Sequence, residues 1–221
     1  VDASTIYEVP VLLHEQRLDE IVCARLGIEA PVADLSAWRE IVRRIREPRG
    51  AVRVAMVGKY VGYADSYKSL NEALVHAGVA TETKVEVSLV DAERIEREGP
   101  GELEGFVLVP GGFGSRGVEG MIRAIGFARE RKVPYLGICL GMQAAVIEFA
   151  RSACGLAGAN STEFDPASPH PVVALITEWQ DRTGRIEKRS QASDIGGTLR
   201  LGSQSVPVAP GTLAASIYGA A

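Results

Sequence analysis

Apolar positions along this chain follow two rhythms. Before residue 50 they recur every three to four positions, the spacing of an amphipathic helix. Asp19 to Leu26 and Asp34 to Arg46 carry it, and in the second stretch Leu35, Trp38, Ile41, Val42 and Ile45 share one face. Arg39, Arg43, Arg44 and Arg46 occupy the opposite face and read as a solvated surface. Pro31 separates the two stretches, and Pro48 and Gly50 close the second, so residues 1–50 read as a connector that packs against something.

From residue 51 short apolar runs alternate with helical periods. Strands are predicted at Val52–Val57, Lys84–Val90, Phe106–Val109, Val133–Ile138 and Val172–Thr177. Between them come a helix capped by Asp65 and ended by Gly78, with Tyr67, Leu70, Leu74 and Ala77 inward, a helix over Val118–Arg131, and one from Cys139 to about Ala153. Asp181–Gly184 reads as a turn between two strand-like arms, and Thr198–Leu201 as extended. Such alternation predicts an α/β fold: an open, mostly parallel sheet with helices on both faces.

Composition removes several function classes. The 221 residues carry a net charge of −4, with 46% hydrophobic and 24% charged residues, an ordinary globular balance. A mildly acidic chain is a poor fit to nucleic acid, and no apolar run is long enough to span a membrane. The cysteines, Cys23, Cys139 and Cys154, are odd in number and widely spaced, which suits a reducing compartment and offers no metal-ligand pair.

Gly137-Ile138-Cys139-Leu140-Gly141 carries the sharpest chemistry. A cysteine between a strand and a helix, with glycine two residues to either side, has the form of a nucleophile elbow, whose tight turn leaves no room for side chains at the flanks. The elbow lifts the sulfur above the sheet edge at a helix N-terminus, where free N–H groups favour thiolate. It also aims the Leu140 N–H at a developing oxyanion. A free cysteine is more commonly a small buried hydrophobe, and Cys23 and Cys154, within helical patterns and without such flanks, read that way.

Pro110-Gly111-Gly112-Phe113-Gly114-Ser115-Arg116-Gly117 follows the strand at 106–109. Residues 112–117 fit GxGxxG, but no acid stands about 20 positions on, so the dinucleotide fingerprint is incomplete. Beside a cysteine elbow the loop reads better as a second oxyanion donor and a rest for a small polar substrate. Gly58-Lys59 is no phosphate loop, because the first glycine of that motif is missing and Tyr60 follows the lysine. A cysteine nucleophile normally works with a histidine base. Of His14, His76 and His170, only His170 follows Cys139, set between prolines, and it reads as a structural or surface residue.

Pro110–Gly114 and Gly137–Gln143 together resemble the triad-type, class I glutamine amidotransferases, whose fold is flavodoxin-like. Further segments narrow the resemblance. Val57–Tyr60, Asn160–Phe164, Ile176–Trp179 and Gly196–Gly202 occur in the order seen in the CTP synthase family, and Ile6–Pro10 looks like the tail of its synthase domain. The resemblance covers nearly the whole chain. It implies an interdomain linker over 1–50 and a glutaminase domain over 51–221, incomplete at its C-terminus.

By that resemblance Cys139 attacks the side-chain amide of L-glutamine, and the N–H groups of Gly112 and Leu140 hold the oxyanion. Gly112, Leu140, Gly141, Met142, Gln143 and Glu163 line the glutamine site, with the Glu163 carboxylate meeting the ammonium. The ammonia would serve a synthase domain that uses ATP and magnesium to turn UTP into CTP. GTP would activate the glutaminase step, with Arg116 and Arg189 as contacts. A cytoplasmic homotetramer is likewise implied, and no cofactor or metal is expected in this chain.

The synthase domain and the family's histidine-and-glutamate segment are missing from these 221 residues. The expectation is therefore a fragment, inactive by itself. Two other readings stay open: a non-catalytic docking or regulatory module, and a different thiol enzyme on a similar elbow, such as a peptidase.

Overall fold

The computed structural model describes residues 2–63, 65–101, 103–174, 178–180, 186–188 and 207–218. The chain divides into two compact units, Val1–Ala174 and Leu175–Ala221. The first begins with a short 3-10 turn, Ile6–Glu8, and three helices: α1 (Val9–Glu15), α2 (Leu18–Leu26) and α3 (Ser36–Arg46). Four strands follow, β1 (Gly50–Gly58), β2 (Thr83–Asp91), β3 (Phe106–Val109) and β4 (Tyr135–Gly137), interleaved with α4 (Lys68–Thr81), α5 (Ala92–Glu98) and α6 (Val118–Arg131). Helix α7 (Leu140–Ser152) leaves directly from β4.

The strands form one parallel sheet in the order β2-β1-β3-β4. Gly58 pairs with Asp91, Met56 with Leu108, and Val109 with Gly137, so the carboxyl ends reach one edge together. Because β3 lies between β1 and β4, the loop after β3 is held between the loops that follow its neighbours. The order also reverses between β1 and β3, the place where ligands bind in open sheets of this kind.

Alternate strand residues go to opposite faces. Val54, Met56 and Leu108 are buried with Tyr67, and Leu70 and Leu74 of α4 pack against them. Ala55, Val57, Val107 and Val109 are buried on the other face with Ile95, Met121, Ile125 and Ile147 from α5, α6 and α7. Both faces are therefore covered, as a parallel sheet requires. Each large apolar side chain removed from water here contributes roughly 1.5–3 kcal/mol.

Several details differ from the sequence expectations. Asp65 does not cap α4: its carbonyl accepts the Lys68 N–H at 3.3 Å in a preceding turn, and Tyr67 holds the cap position without a side-chain bond. Gly78 does not end α4, which continues to Thr81 and closes at Glu82 in a left-handed conformation. Gly78 is instead buried where the helix crosses β2, and a Cβ there would lie 2.5 Å from the Thr83 carbonyl oxygen. Ala77 is exposed. Strand β4 spans three residues rather than six, since the chain turns at Cys139 after Ile138 N–H bonds the Val109 carbonyl at 2.9 Å. Cys154 lies two residues past the end of α7 and is exposed.

The arginine face of α3 is largely exposed, as expected, and it also carries ion pairs. Glu40 pairs with Arg43 at 2.7 Å and Arg44 at 2.8 Å, while Arg49 and Arg43 reach Glu82 at 2.7 and 3.7 Å. Arg46 pairs with Glu8. Each such exposed pair contributes little alone, but together they tie α3 to the end of α4 and to the opening turn. Tyr7 adds a bridge, its hydroxyl lying 3.0 Å from Glu72 and 2.5 Å from His76 on α4.

After α7, β5 (Ala159–Ser161) and β6 (His170–Val173) pair in parallel. In the second unit β7 (Glu178–Gln180) runs antiparallel to β8 (Ile186–Lys188), the two arms expected there, and α8 spans Leu213–Tyr218. The expected turn at 181–184 and the extended stretch at 198–201 lie outside the described residues.

Candidate active site

Cys139 stands at the junction of β4 and α7 with φ 54° and ψ −110°, a backbone conformation that is strained for a residue with a side chain. The turn that imposes it is tight enough to explain both flanking glycines. A Cβ at Gly137 would lie 2.6 Å from the Gly141 carbonyl carbon, and one at Gly141 would lie 2.1 Å from the Val109 carbonyl oxygen. The Tyr135 hydroxyl donates to the Gly141 carbonyl at 2.7 Å beneath the turn, and burial pushes its phenol well above the usual range. Strain of this kind persists where surrounding structure over-determines it, and here it presents Cys139 to solvent.

The glycine loop after β3 packs against this elbow. A Cβ at Gly111 would stand 3.4 Å from Cys139 Cβ and 3.9 Å from its Sγ. One at Gly112 would meet Leu140 Cδ2 at 3.3 Å and Lys59 Cδ at 3.6 Å. Gly111 thus faces the sulfur, whereas Gly112 faces the first residue of α7. The expected juxtaposition of the two loops is present.

Glu163 joins the same cluster. Ser161 Oγ accepts the Glu163 N–H at 3.2 Å, which turns the chain after β5, and Glu163 Oε1 accepts the Gly114 N–H at 2.8 Å. The residue is otherwise exposed. Gln143 is half-buried in the first turn of α7, where its N–H bonds the Cys139 carbonyl at 3.1 Å. Leu140 and Gly141 are buried under the loop, and Met142 is exposed.

Lys59, read from the sequence only as a lysine that makes no phosphate loop, joins the site. It follows β1, is only 4% exposed, and donates from Nζ to the Phe113 carbonyl at 3.1 Å and to the Gly114 carbonyl. Burial, with the Arg116 guanidinium adding repulsion, pulls its ammonium below the usual lysine range. The available signal was Gly-Lys directly after a buried apolar strand, a pattern that motif matching dismisses.

Arg116 pairs with Glu93, donates to the Lys59 carbonyl at 3.2 Å, and stacks on the Tyr60 ring at 5.5 Å. Arg189 lies outside the described residues. No histidine is hydrogen-bonded to Cys139: His14 pairs with Asp19 at 2.7 Å, His76 with Tyr7, and His170 is exposed at the start of β6.

An exposed, strained cysteine packed against a glycine loop at a helix start suits nucleophilic attack on a carbonyl carbon. Among solved structures, the chain is similar to the Trypanosoma brucei CTPS glutaminase domain with bound acivicin, with 37% sequence identity and a TM-score of 0.54. That match covers 60% of this chain and 53% of the other, so this chain spans about half the length of its structural relative. Residues 63–218, well over half of the sequence, match the family described as glutamine amidotransferase class-I, and the chain belongs to that family.

Proposed function

We propose that this chain is the glutaminase part of a CTP synthase, with residues 1–50 as linker and 51–221 as amidotransferase domain. In this reading the Cys139 thiolate attacks the side-chain amide carbon of glutamine, and the N–H groups of Gly112 and Leu140 stabilise the oxyanion. Collapse of the tetrahedral intermediate expels ammonia, with a proton supplied to the leaving nitrogen, and leaves a glutamyl thioester. Water then hydrolyses the thioester to glutamate and restores the thiol. Gln143 and Glu163 hold the amino-acid end of the substrate, the carboxylate facing its ammonium.

The observation that carries this reading is the packing of Gly111 and Gly112 against a strained, exposed Cys139 and Leu140. In this reading a histidine and its carboxylate of the parent enzyme move the proton. A synthase domain that would use ATP and magnesium to aminate UTP, in a cytoplasmic homotetramer, belongs to the same reading. GTP activation through Arg116 and Arg189 belongs to the same reading.

The test is ammonia release from glutamine by the full parent polypeptide. Cys139→Ala should lower it by roughly 10³-fold or more, as loss of a nucleophile does, while ammonia-dependent amination persists. Wild-type release by the variant would overturn the assignment.

A further inference from the structure

Lys59 lies on no reacting atom, yet its geometry concerns the glycine loop directly. The Phe113 carbonyl and the Gly114 N–H belong to one peptide group. Its oxygen accepts from Lys59 Nζ at 3.1 Å, and its N–H donates to Glu163 Oε1 at 2.8 Å. A second bond from Nζ reaches the Gly114 carbonyl. The peptide is therefore gripped from one side by a cation and from the other by a carboxylate, and charge-assisted bonds of this kind are about twice as strong as neutral ones.

The lysine stem runs below the loop, with Cδ and Cε 3.6 and 3.8 Å from the position of a Cβ on Gly112. A segment rich in glycine has many conformations open to it, and a solvated version of this loop would sample them freely. The clamp removes that freedom two residues from Gly111, which faces the cysteine sulfur. The lysine itself is held: its carbonyl accepts from Arg116, and its side chain is buried.

We propose that Lys59 is a positioning residue for the glutaminase site, its ammonium fixing the Phe113–Gly114 peptide so that the 110–114 loop is preset against Cys139. Its ammonium is engaged by the Phe113 and Gly114 carbonyls, and it acts through the loop. The clamp itself is independent of the glutaminase reading, but its consequence for glutamine rests on that reading. Two measurements on the full parent polypeptide separate the two.

The first is amide hydrogen exchange in Lys59→Met, which keeps the stem and removes the charge, and in Lys59→Arg, which keeps the charge. Met should raise exchange across residues 111–116 by about tenfold or more while β1 and α6 stay protected, and Arg should restore at least part of the protection. Unchanged exchange in the Met variant, or a rise spread over the whole chain, would overturn the clamp.

The second is the rate of Cys139 alkylation by acivicin, which presents an amino-acid end and loses chloride to the thiolate, against iodoacetamide, which needs no loop. Lys59→Met should slow acivicin by roughly tenfold and change iodoacetamide less than twofold. Equal slowing of both reagents would overturn the positioning role. A wild-type chain that iodoacetamide labels and acivicin does not would overturn the glutaminase reading and the loop's service to glutamine with it, whereas the exchange result would still decide the clamp.

Discussion

The Val109 carbonyl oxygen lies so close under Gly141 that a Cβ on residue 141 would stand 2.1 Å from it. The same oxygen accepts the Ile138 N–H at 2.9 Å. One carbonyl at the end of β3 thus anchors both sides of the cysteine elbow, linking the central strand of the site to the turn that carries the nucleophile.

Gly141→Ala should therefore be expensive, because the obstructing atom is backbone and cannot rotate away. Loss of about 2–4 kcal/mol is expected, at the upper end of overpacking substitutions, and urea unfolding measures it. The same variant should also lose reaction of Cys139 with acivicin, since relieving the clash moves the start of α7.

Glu148 is 3% exposed and its carboxylate meets Arg129 at 3.0 Å, between α7 and α6. Arg129→Met would leave the carboxylate buried without its cation. We expect a loss of roughly 2–4 kcal/mol, moderated because the guanidinium is itself partly in solvent. Adding Glu148→Gln to that variant should recover most of the loss, which a double-mutant cycle in urea would read.

Acid should loosen the connector. Its two arginine partners hold the Glu40 carboxyl down at about 2, and the Ser4 side-chain bond likewise lowers Glu8. A carboxyl whose folded value is depressed stabilises the fold above its unfolded value near 4.5, and loses that contribution as pH falls toward 2. The melting temperature should thus fall between pH 5 and 2, and Glu40→Gln should flatten part of the fall. A variant profile identical to wild type across that range would contradict the role given to this pair.

Glu163→Gln keeps an oxygen for the Gly114 N–H but removes the charge proposed to meet the glutamine ammonium. Glutamine should then protect Cys139 from alkylation only at concentrations about 10-fold to 100-fold higher, the cost of a lost charged hydrogen bond. Exchange of the glycine loop should change far less than in Lys59→Met.

Much of this architecture was legible in the sequence where local chemistry dictates it. The Phe106–Val109 run, the helix from Val118 to Arg131 and the cysteine elbow all appear where periodicity and glycine spacing put them. Features set by tertiary packing were not legible. Gly78 looks like a helix end in sequence, yet it marks a crossing on Thr83, a contact that no local signal encodes. The arginines of α3 are largely exposed, as their pattern implies, but their pairing with Glu8 and Glu82 was not legible because those partners come from other elements. Lys59 was legible only as a lysine that makes no phosphate loop; its place at the site was not, because its partners lie more than fifty residues away, on a loop brought alongside by strand order.

Cys139 is proposed as a nucleophile shaped for glutamine, and intact-mass and peptide mapping of the full parent polypeptide after acivicin treatment decide it. A single adduct on Cys139 is expected, none on Cys23 or exposed Cys154, with slowing by glutamine but not by a simple primary amide that lacks the amino-acid end. Labelling of Cys154 at the same rate as Cys139, or labelling of Cys139 that glutamine leaves unchanged, would contradict it.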